Sequence, residues 1–479
     1  MQRTLIFETL KQTEKEVTIK GWVAVRRDHG KLIFLDIRDV SGLIQVVVNP
    51  KVSKDSHKTA EKLRSEFVVA ITGKINKRPE KLVNKDLETG SVEMIATKIE
   101  ILSEAKNLPF EIPEADDVKE ETRLKYRYLD LRSKRMSYNM KMRSEMMHFV
   151  RNYLHDKGFI EFHTPILSKS TPEGARDYLV PSRKFPGKFF ALPQSPQQYK
   201  QMLQVAGFDK YFQIAPCFRD EDARADRSPG EFYQVDMEMS FVTQEDILNI
   251  TEEMFTKMVR TLWPEKKMTF DPWPRLDYAE VMEKYKTDKP DLRKNKEDIN
   301  ELAFAFVVNF PLFAPQAKDK NSEDHFHGAK SKWAPSHHMF TAPKTEDIPM
   351  LDTDPGKVKS YQHDLVLNGL EVGGGSVRIH DSKLQNKIFG LIGFDDEDKK
   401  KFEHLLQAFE YGVPPHGGIA PGFDRLLSVI LGEKSIREVI AFPLMAEARD
   451  PLMDAPSEVT NDQLKELHIK TEKPKLKSS

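Results

Sequence analysis

The chain carries its densest chemistry in residues 211–241, YFQIAPCFRDEDARADRSPGEFYQVDMEMSF. Alternating and aromatic residues over 211–218 predict a strand, the charged run 219–231 a loop, and 232–241 a returning strand. Side chains alternate across a strand, so Val235, Met237 and Met239 share one face while Gln234, Asp236 and Glu238 share the other. The first face needs burial; the second needs partners or water. Arg219, Arg224 and Arg227 supply planar forks for phosphate or carboxylate, next to carboxylates suited to a metal or an ammonium. A solvated hairpin is the ordinary fate of a charge run, but this mixture fits a site that holds a nucleotide and a zwitterion together.

Other candidates lie further along. In DLVLNGLEVGGGS, Asp364 and Glu371 are hard carboxylates of the kind that hold magnesium against phosphates, although their alternation bars them from one face of one regular strand. The glycine triplet 373–375 lacks the GK[ST] of a phosphate-gripping loop, so it reads as a place where backbone approaches a substrate, or as a bulge. SVRIH puts Ser376, Arg378 and His380 on one strand face. In GFDR, Arg425 falls in the first turn of a predicted helix, where a structural salt bridge is the plain alternative.

Elements must position these groups. With 479 residues the chain has room for two or three domains at about 150 residues each. Strands are predicted at 17–24, 32–39, 43–49, 67–74 and 92–102, with a short helix at 56–63 after the third, the order of an oligonucleotide-binding barrel. In the second strand Ile33, Leu35 and Ile37 form the core face, leaving Phe34 on the polar face as a stacking platform for an unpaired base. Arg26, Arg27 and Gln45 are expected beside it. Residues 107–120 read as a linker rich in proline and acid, 122–155 as a long helical region, and 158–167 as a strand whose regular part ends at Pro165. The resulting expectation is a barrel at 1–104, a hinge at 105–122, a second domain at 123–460, and a polar tail at 461–479 with a disordered end. Lys and Arg number 74 against 75 acidic residues, so a nucleic-acid partner needs a local basic face. One cysteine, Cys217, excludes an internal disulfide. The N-terminus lacks the apolar core of a signal peptide and no stretch approaches a membrane span, which predicts a cytoplasmic protein without a membrane partner.

FRDEDARADR followed by EFYQVDMEMSF resembles motif 2 of class II aminoacyl-tRNA synthetases, in particular the bacterial aspartyl-tRNA synthetases. RYLDLR resembles the family's lead into the catalytic domain, GFIEFHTPIL the strand of motif 1 (about 143–167), GGIAPGFDRLLSVILG resembles motif 3 (417–432), and GWVAVRRDHGKLIFLDIRD is similar to the family's anticodon-binding barrel. The resemblance implies an α+β protein: a five-stranded OB-fold barrel followed by a catalytic domain built on an antiparallel sheet flanked by helices. It implies activation of L-aspartate with Mg-ATP, transfer to the terminal adenosine of tRNA(Asp), a homodimer, and no DNA partner. Whether tRNA(Asn) is also charged is left open; His29 stands where enzymes charging both tRNAs often have histidine.

Residue by residue, the resemblance implies that Arg219 contacts the α-phosphate, Phe232 stacks on adenine, Asp220, Glu221, Arg227 and Gln234 assist ATP binding, and Gly422, Phe423, Asp424 and Arg425 form its other side. Arg219, Glu371 and Arg425 are the implied catalytic set, and Asp364 with Glu371 the magnesium ligands. Arg378 and Lys200 are implied to grip the aspartate side chain, where an amide would leave both cations unpaired. Glu173, Gln197, Asp236, His337, His338, Ser376 and Arg219 are implied to border the rest of the amino acid, and Arg26, Arg27, His29, Phe34 and Gln45 to meet the anticodon. The sequence departs from the family at His163, at Ser228 and Gly230, and at Pro421 and Phe423, and it lacks the domain usually inserted between motifs 2 and 3, the connection at 291–306 being short. Asparaginyl or lysyl specificity, an asparagine-forming relative, and a tRNA-binding paralogue without catalysis are the competing expectations.

Overall fold

The computed structural model describes residues 2–221, 230–319 and 325–472. Arg224, Arg227 and Ser228, and the end of the tail, lie outside them. The chain forms two compact units, Met1–Glu111 and Ile112–Ser479.

The first unit is a closed barrel of β1 (Glu16–His29), β2 (Leu32–Asp39), β3 (Gly42–Val48), β4 (Val68–Lys77) and β5 (Val92–Ser103), in the order β1-β2-β3-β5-β4, with α1 (Lys54–Ala60) between β3 and β4. Ile19, Val23, Ile33, Leu35, Ile37, Ile44, Val46 and Ile71 fill its interior. β1 runs five residues past the predicted end because its tail continues to pair with β2, Arg27 opposite Phe34 and His29 opposite Leu32. Gly21 is required where strands cross, since a Cβ there would lie 2.2 Å from the Arg38 carbonyl oxygen.

The second unit is built on an eight-stranded sheet. Along the chain run α2 (Lys134–Asp156), β6 (Ile160–Glu161), α3 (Gln197–Val205), β7 (Lys210–Arg219), β8 (Gly230–Ser240), α4 (Gln244–Leu262), β9 (Arg275–Asp277), β10 (Phe304–Val308), β11 (Gln362–Leu367), β12 (Leu370–Val377), β13 (His416–Pro421) and α5 (Phe423–Leu431). The sheet order is β9-β10-β11-β12-β13-β8-β7-β6. The central six strands are antiparallel, whereas each edge strand pairs parallel to its neighbour, so the sheet is mixed. Val235, Met237 and Met239 point into the main core with Ile247, Leu248 and Phe255 of α4, as their alternation predicts.

Two expectations give way. The helical region before α2 is broken into Glu120–Lys125 and Arg127–Asp130, because the Ser133 hydroxyl accepts from Met136 N and starts a new helix. The strand expected over 158–167 is in register with its neighbour only at Ile160 and Glu161, opposite Tyr211 and Phe212, with one further bond from Phe162 N to the Phe212 carbonyl at 3.0 Å; beyond them Ile166 and Leu167 are exposed. Between the helix Tyr278–Tyr285 and the short strand Glu301–Leu302 the chain makes no regular element, consistent with the short connection read there.

Candidate active site

The faces of β8, β12 and β13 opposite the main core, with α3, line a cavity of about 730 Å³. One end of it is a lattice of buried charge. The Asp236 and Glu238 side chains are 0 % exposed. Lys200, reaching over from α3, donates to both Asp236 oxygens at 3.0 and 2.9 Å and stands 3.2 Å from Glu238 Oε2. Arg378, just beyond β12, donates through Nε and Nη2 to Glu238 at 2.9 and 3.1 Å, and through Nη1 to the Ser376 hydroxyl at 2.7 Å. His338 Nε2 lies 2.5 Å from the same Nη1.

Two cations thus face two carboxylates in a region shut off from water, where an unpaired ion is costly. Burial raises Glu238, but Arg378 and Lys200 outweigh it and draw the carboxyl down to about 2. At Asp236 burial wins over Lys200, and the group titrates above the usual carboxylate range. Burial, reinforced by Arg378, lowers His337 to about 3 and His338 well below its usual value, so both imidazoles are neutral. Gln197 is buried alongside, donating to Gln201 Oε1 at 3.1 Å. Glu173 also lines the cavity, accepting from the Thr171 hydroxyl at 2.7 Å and from Gln198, and burial raises it.

The other end is half-buried. Arg219 lies with its guanidinium 5.1 Å from the Phe232 ring centre and donates to the Gln194 carbonyl at 3.4 Å. Across the cavity Arg425, in the first turn of α5, donates to the Glu371 carbonyl at 2.6 Å. Glu221, Gln234, Gly422 and Asp424 also line the cavity. Asp424 receives Tyr233 N at 3.0 Å and pairs with Arg143, so it ties α5 to the hairpin. Gly374 and Gly373 are glycine for space: a Cβ would lie 2.8 Å from His337 Cε1 at the first and 2.7 Å from Pro421 Cα at the second. Gly230 adopts φ +86 against Tyr178, which explains the glycine at this departure from the family pattern.

Asp364 and Glu371 stand on neighbouring strands, β11 and β12, rather than on one. Burial, then the charge of Glu371, pushes Asp364 well above its usual value. Among the described residues no group of three or more His, Cys, Asp or Glu could hold a metal. Two carboxylates whose repulsion a cation would relieve suit magnesium, which commonly takes one or two carboxylates and completes its shell with water and phosphate.

Some expected residues fall elsewhere. The Phe423 side chain is buried in the main core beneath Arg143 instead of facing the cavity, because the first turn of α5 turns Phe423 inward while Arg425 faces out. Asp220 is exposed and absent from the cavity wall, and His380 is exposed past the end of β12. Glu238 had no assigned role, although alternation put it beside Asp236; Gln194, which binds both backbone groups of Ala175 at 3.0 and 2.9 Å, was missed as well. A buried acid with no neighbouring cation in sequence was the available signal for Glu238.

In the barrel, Arg27, His29, Phe34 and Gln45 gather on one face: Arg27 pairs with Asp36 at 2.7 Å, Asp36 lies opposite Gln45, and the His29 and Phe34 rings are 6.5 Å apart. Arg26 is not with them. A register shift between Val23 and Val25 turns it to the other side, where it donates to the Glu61 carbonyl at 2.8 Å beside α1.

Residues 119–446 match the tRNA synthetases class II (D, K and N), and residues 17–102 match the OB-fold nucleic acid binding domain. The chain belongs to the class II tRNA synthetases of the aspartate, lysine and asparagine group. Within that group it is 41% identical to an aspartate–tRNA(Asp/Asn) ligase of Dehalococcoides mccartyi (strain CBDB1), over 96% of this chain and 97% of the relative. It is 40% identical to one of Treponema denticola, over 98% and 99%. The first alignment runs over 594 positions against a chain of 479, so at least 115 of them have no counterpart here. Among solved structures, an aspartyl-tRNA synthetase from Entamoeba histolytica superposes with TM-score 0.70 at 25% identity, covering 92% of this chain and 91% of that one. The fold also matches asparaginyl-tRNA synthetase from Pyrococcus horikoshii, TM-score 0.74 at 24% identity, over 92% and 98%.

Proposed function

We propose that the protein is an aspartate–tRNA ligase. The observation that carries this reading is the pairing of Arg378 and Lys200 at the closed end of a cavity whose other end holds Arg219, Phe232 and Arg425. A side-chain carboxylate meets two cations there. An amide meets the same cations without charge, which discriminates strongly.

The aspartate α-carboxylate attacks the α-phosphorus of ATP and pyrophosphate leaves; a terminal ribose hydroxyl of the tRNA then attacks the acyl carbon and AMP leaves. Arg219 neutralises charge developing at the α-phosphate, and Arg425 holds the triphosphate from the opposite wall. Phe232 offers its ring to adenine. Glu173 and Asp236 are placed for the ammonium, and burial of the lattice keeps water from the mixed anhydride. Asp364 and Glu371 would hold magnesium, which would supply positive charge against the triphosphate.

The barrel face of Arg27, His29, Phe34 and Gln45 reads the anticodon by stacking and base-edge contacts. Because His29 shares that face, and because the relatives named above are Asp/Asn ligases, tRNA(Asn) is proposed as a second acceptor. Exposed Ile160, Ile166, Leu167, Phe189 and Phe190 support a homodimer, which a monomer in sedimentation equilibrium at micromolar protein would refute. Among the described residues no helix is long and apolar enough to cross a membrane, and the cytoplasm is the proposed site of action.

The test is aminoacylation with radiolabelled aspartate on separate tRNA(Asp) and tRNA(Asn) transcripts. Charging of both is expected. Charging of tRNA(Asp) alone removes the second acceptor, and charging of neither by folded protein with Mg-ATP overturns the ligase reading.

A further inference from the structure

At the Glu173 end the cavity wall is made by two segments far apart in sequence, 171–175 and 325–328. His327 N donates to the Gly174 carbonyl at 3.0 Å, and the two residues form an isolated antiparallel bridge. Gly174 has φ +112, and a Cβ on it would lie 3.0 Å from the ring of Phe326. Gly328 has φ +116, and a Cβ on it would lie 2.5 Å from Pro172 Cβ. Each segment therefore has a glycine where the other presses closest.

The two segments differ in their anchorage. Phe326 is buried in the core formed with Phe340, Phe389 and Phe402. The Gln316 amide grips both its backbone groups, donating to Phe326 O at 2.9 Å and accepting from Phe326 N at 3.2 Å. Beyond it, Lys330 N donates to the Ile392 carbonyl at 2.9 Å and the Ser331 hydroxyl to the Leu391 carbonyl at 2.7 Å. The 171–175 segment has no ladder of its own; the bridge at Gly174 holds it on one side and the Gln194 amide at Ala175 on the other. Glu173 directly precedes those two ties in the chain, with its carboxylate accepting from Thr171 and Gln198.

We propose that the 325–328 segment is a positioning element for the amino-acid substrate: through Gly174, Phe326 and His327 set where the Glu173 carboxylate stands over the cavity. This rests on the aspartate-activating function proposed above. A carboxylate meeting an ammonium loses much of its benefit when displaced by about 1 Å, so loosening the anchor weakens capture of the amino acid and spares the nucleotide.

ATP–pyrophosphate exchange on the full chain, with aspartate and ATP varied separately, tests this. Phe326→Ala is expected to raise KM for aspartate about tenfold and to leave KM for ATP within about twofold, while Phe326→Leu restores most of the loss. Gly328→Ala, which pushes on Pro172 without opening the core, is expected to give the same split and serves if Phe326→Ala does not fold. In a Glu173→Gln background Phe326→Ala should add less than about twofold, because the group it positions is already altered. An unchanged aspartate KM, equal rises in both KM values, or full multiplication of the two effects in the double variant overturns the proposal. Failure of the unmodified protein to activate aspartate strikes the proposed function instead, and is told apart by being seen without any substitution.

Discussion

The two ends of the cavity hold their cations in different ways. At the end proposed for the amino acid, Lys200 and Arg378 are fixed by carboxylates, Asp236 and Glu238, inside a region closed to water. At the end proposed for the nucleotide, Arg219 is aimed by a backbone carbonyl and an aromatic ring in half-exposed surroundings. The first arrangement is rigid before any substrate arrives and suits discrimination between near-identical side chains. The second suits a large, flexible, highly charged substrate. On the proposed function, selectivity and affinity for phosphate are built with different materials in one cavity.

The largest expected effect breaks the rigid end. Arg378→Leu should abolish aspartate activation, a loss of about 10³-fold or more, and should cost about 3 kcal/mol of stability by leaving Glu238 buried with Lys200 as its one remaining cation. Adding Glu238→Gln should recover most of that stability in urea unfolding while activation stays lost; recovery of both would mean that Arg378 acts only as a structural partner. A smaller effect is expected at the soft end. Phe232→Ala should raise KM for ATP about tenfold in pyrophosphate exchange and shift stability by less than about 1 kcal/mol, because the ring is half-exposed. A stability loss as large as that of Arg378→Leu would erase the contrast.

The smallest effect is one of pH and belongs to the rigid end. His337 is lowered from 6.5 to about 3 in the folded protein, so below pH 6.5 the unfolded chain binds a proton that the folded chain refuses. That contribution is complete above pH 6.5 and is lost as pH falls from there towards about 3. Glu238, lowered from 4.5 to about 2, adds a loss in the same direction below pH 4.5. His337→Asn should therefore reduce the slope of unfolding free energy between pH 6 and 5 by about 1.4 kcal/mol per pH unit. An unchanged slope would show that His337 is protonated in the fold.

Local rules carried much of this from the sequence. Alternation placed Val235, Met237 and Met239 in the core and Asp236 and Glu238 on the opposite face, and the spacing of short strands with one helix gave the barrel. What alternation cannot supply is the partner across that face. Lys200 comes from a helix and Arg378 from a strand end, so their residence on Asp236 and Glu238 exists only once the sheet is assembled. The same limit explains Phe423, whose inward turn is set by helix phase against the core, and residues 158–167, whose register with the neighbouring strand ends at Glu161 although that strand runs on to Arg219. The segment 325–328 left no periodic signal at all, because a buried ring, a side-chain amide and one bridge hold it rather than a repeating element.

Cys217, on the strand that carries Arg219, has a consequence for handling the protein. It is the only cysteine in the chain, it is fully buried, its Sγ lies 3.2 Å from Gln234 Oε1, and burial pushes its thiol up to about 12. Almost no thiolate exists at neutral pH, so alkylating reagents find nothing to react with in the folded chain. The native protein is in effect a cysteine-free scaffold: a thiol introduced on the barrel face or at the rim of the cavity would take a fluorophore or spin label at that position alone, with the catalytic strand left untouched.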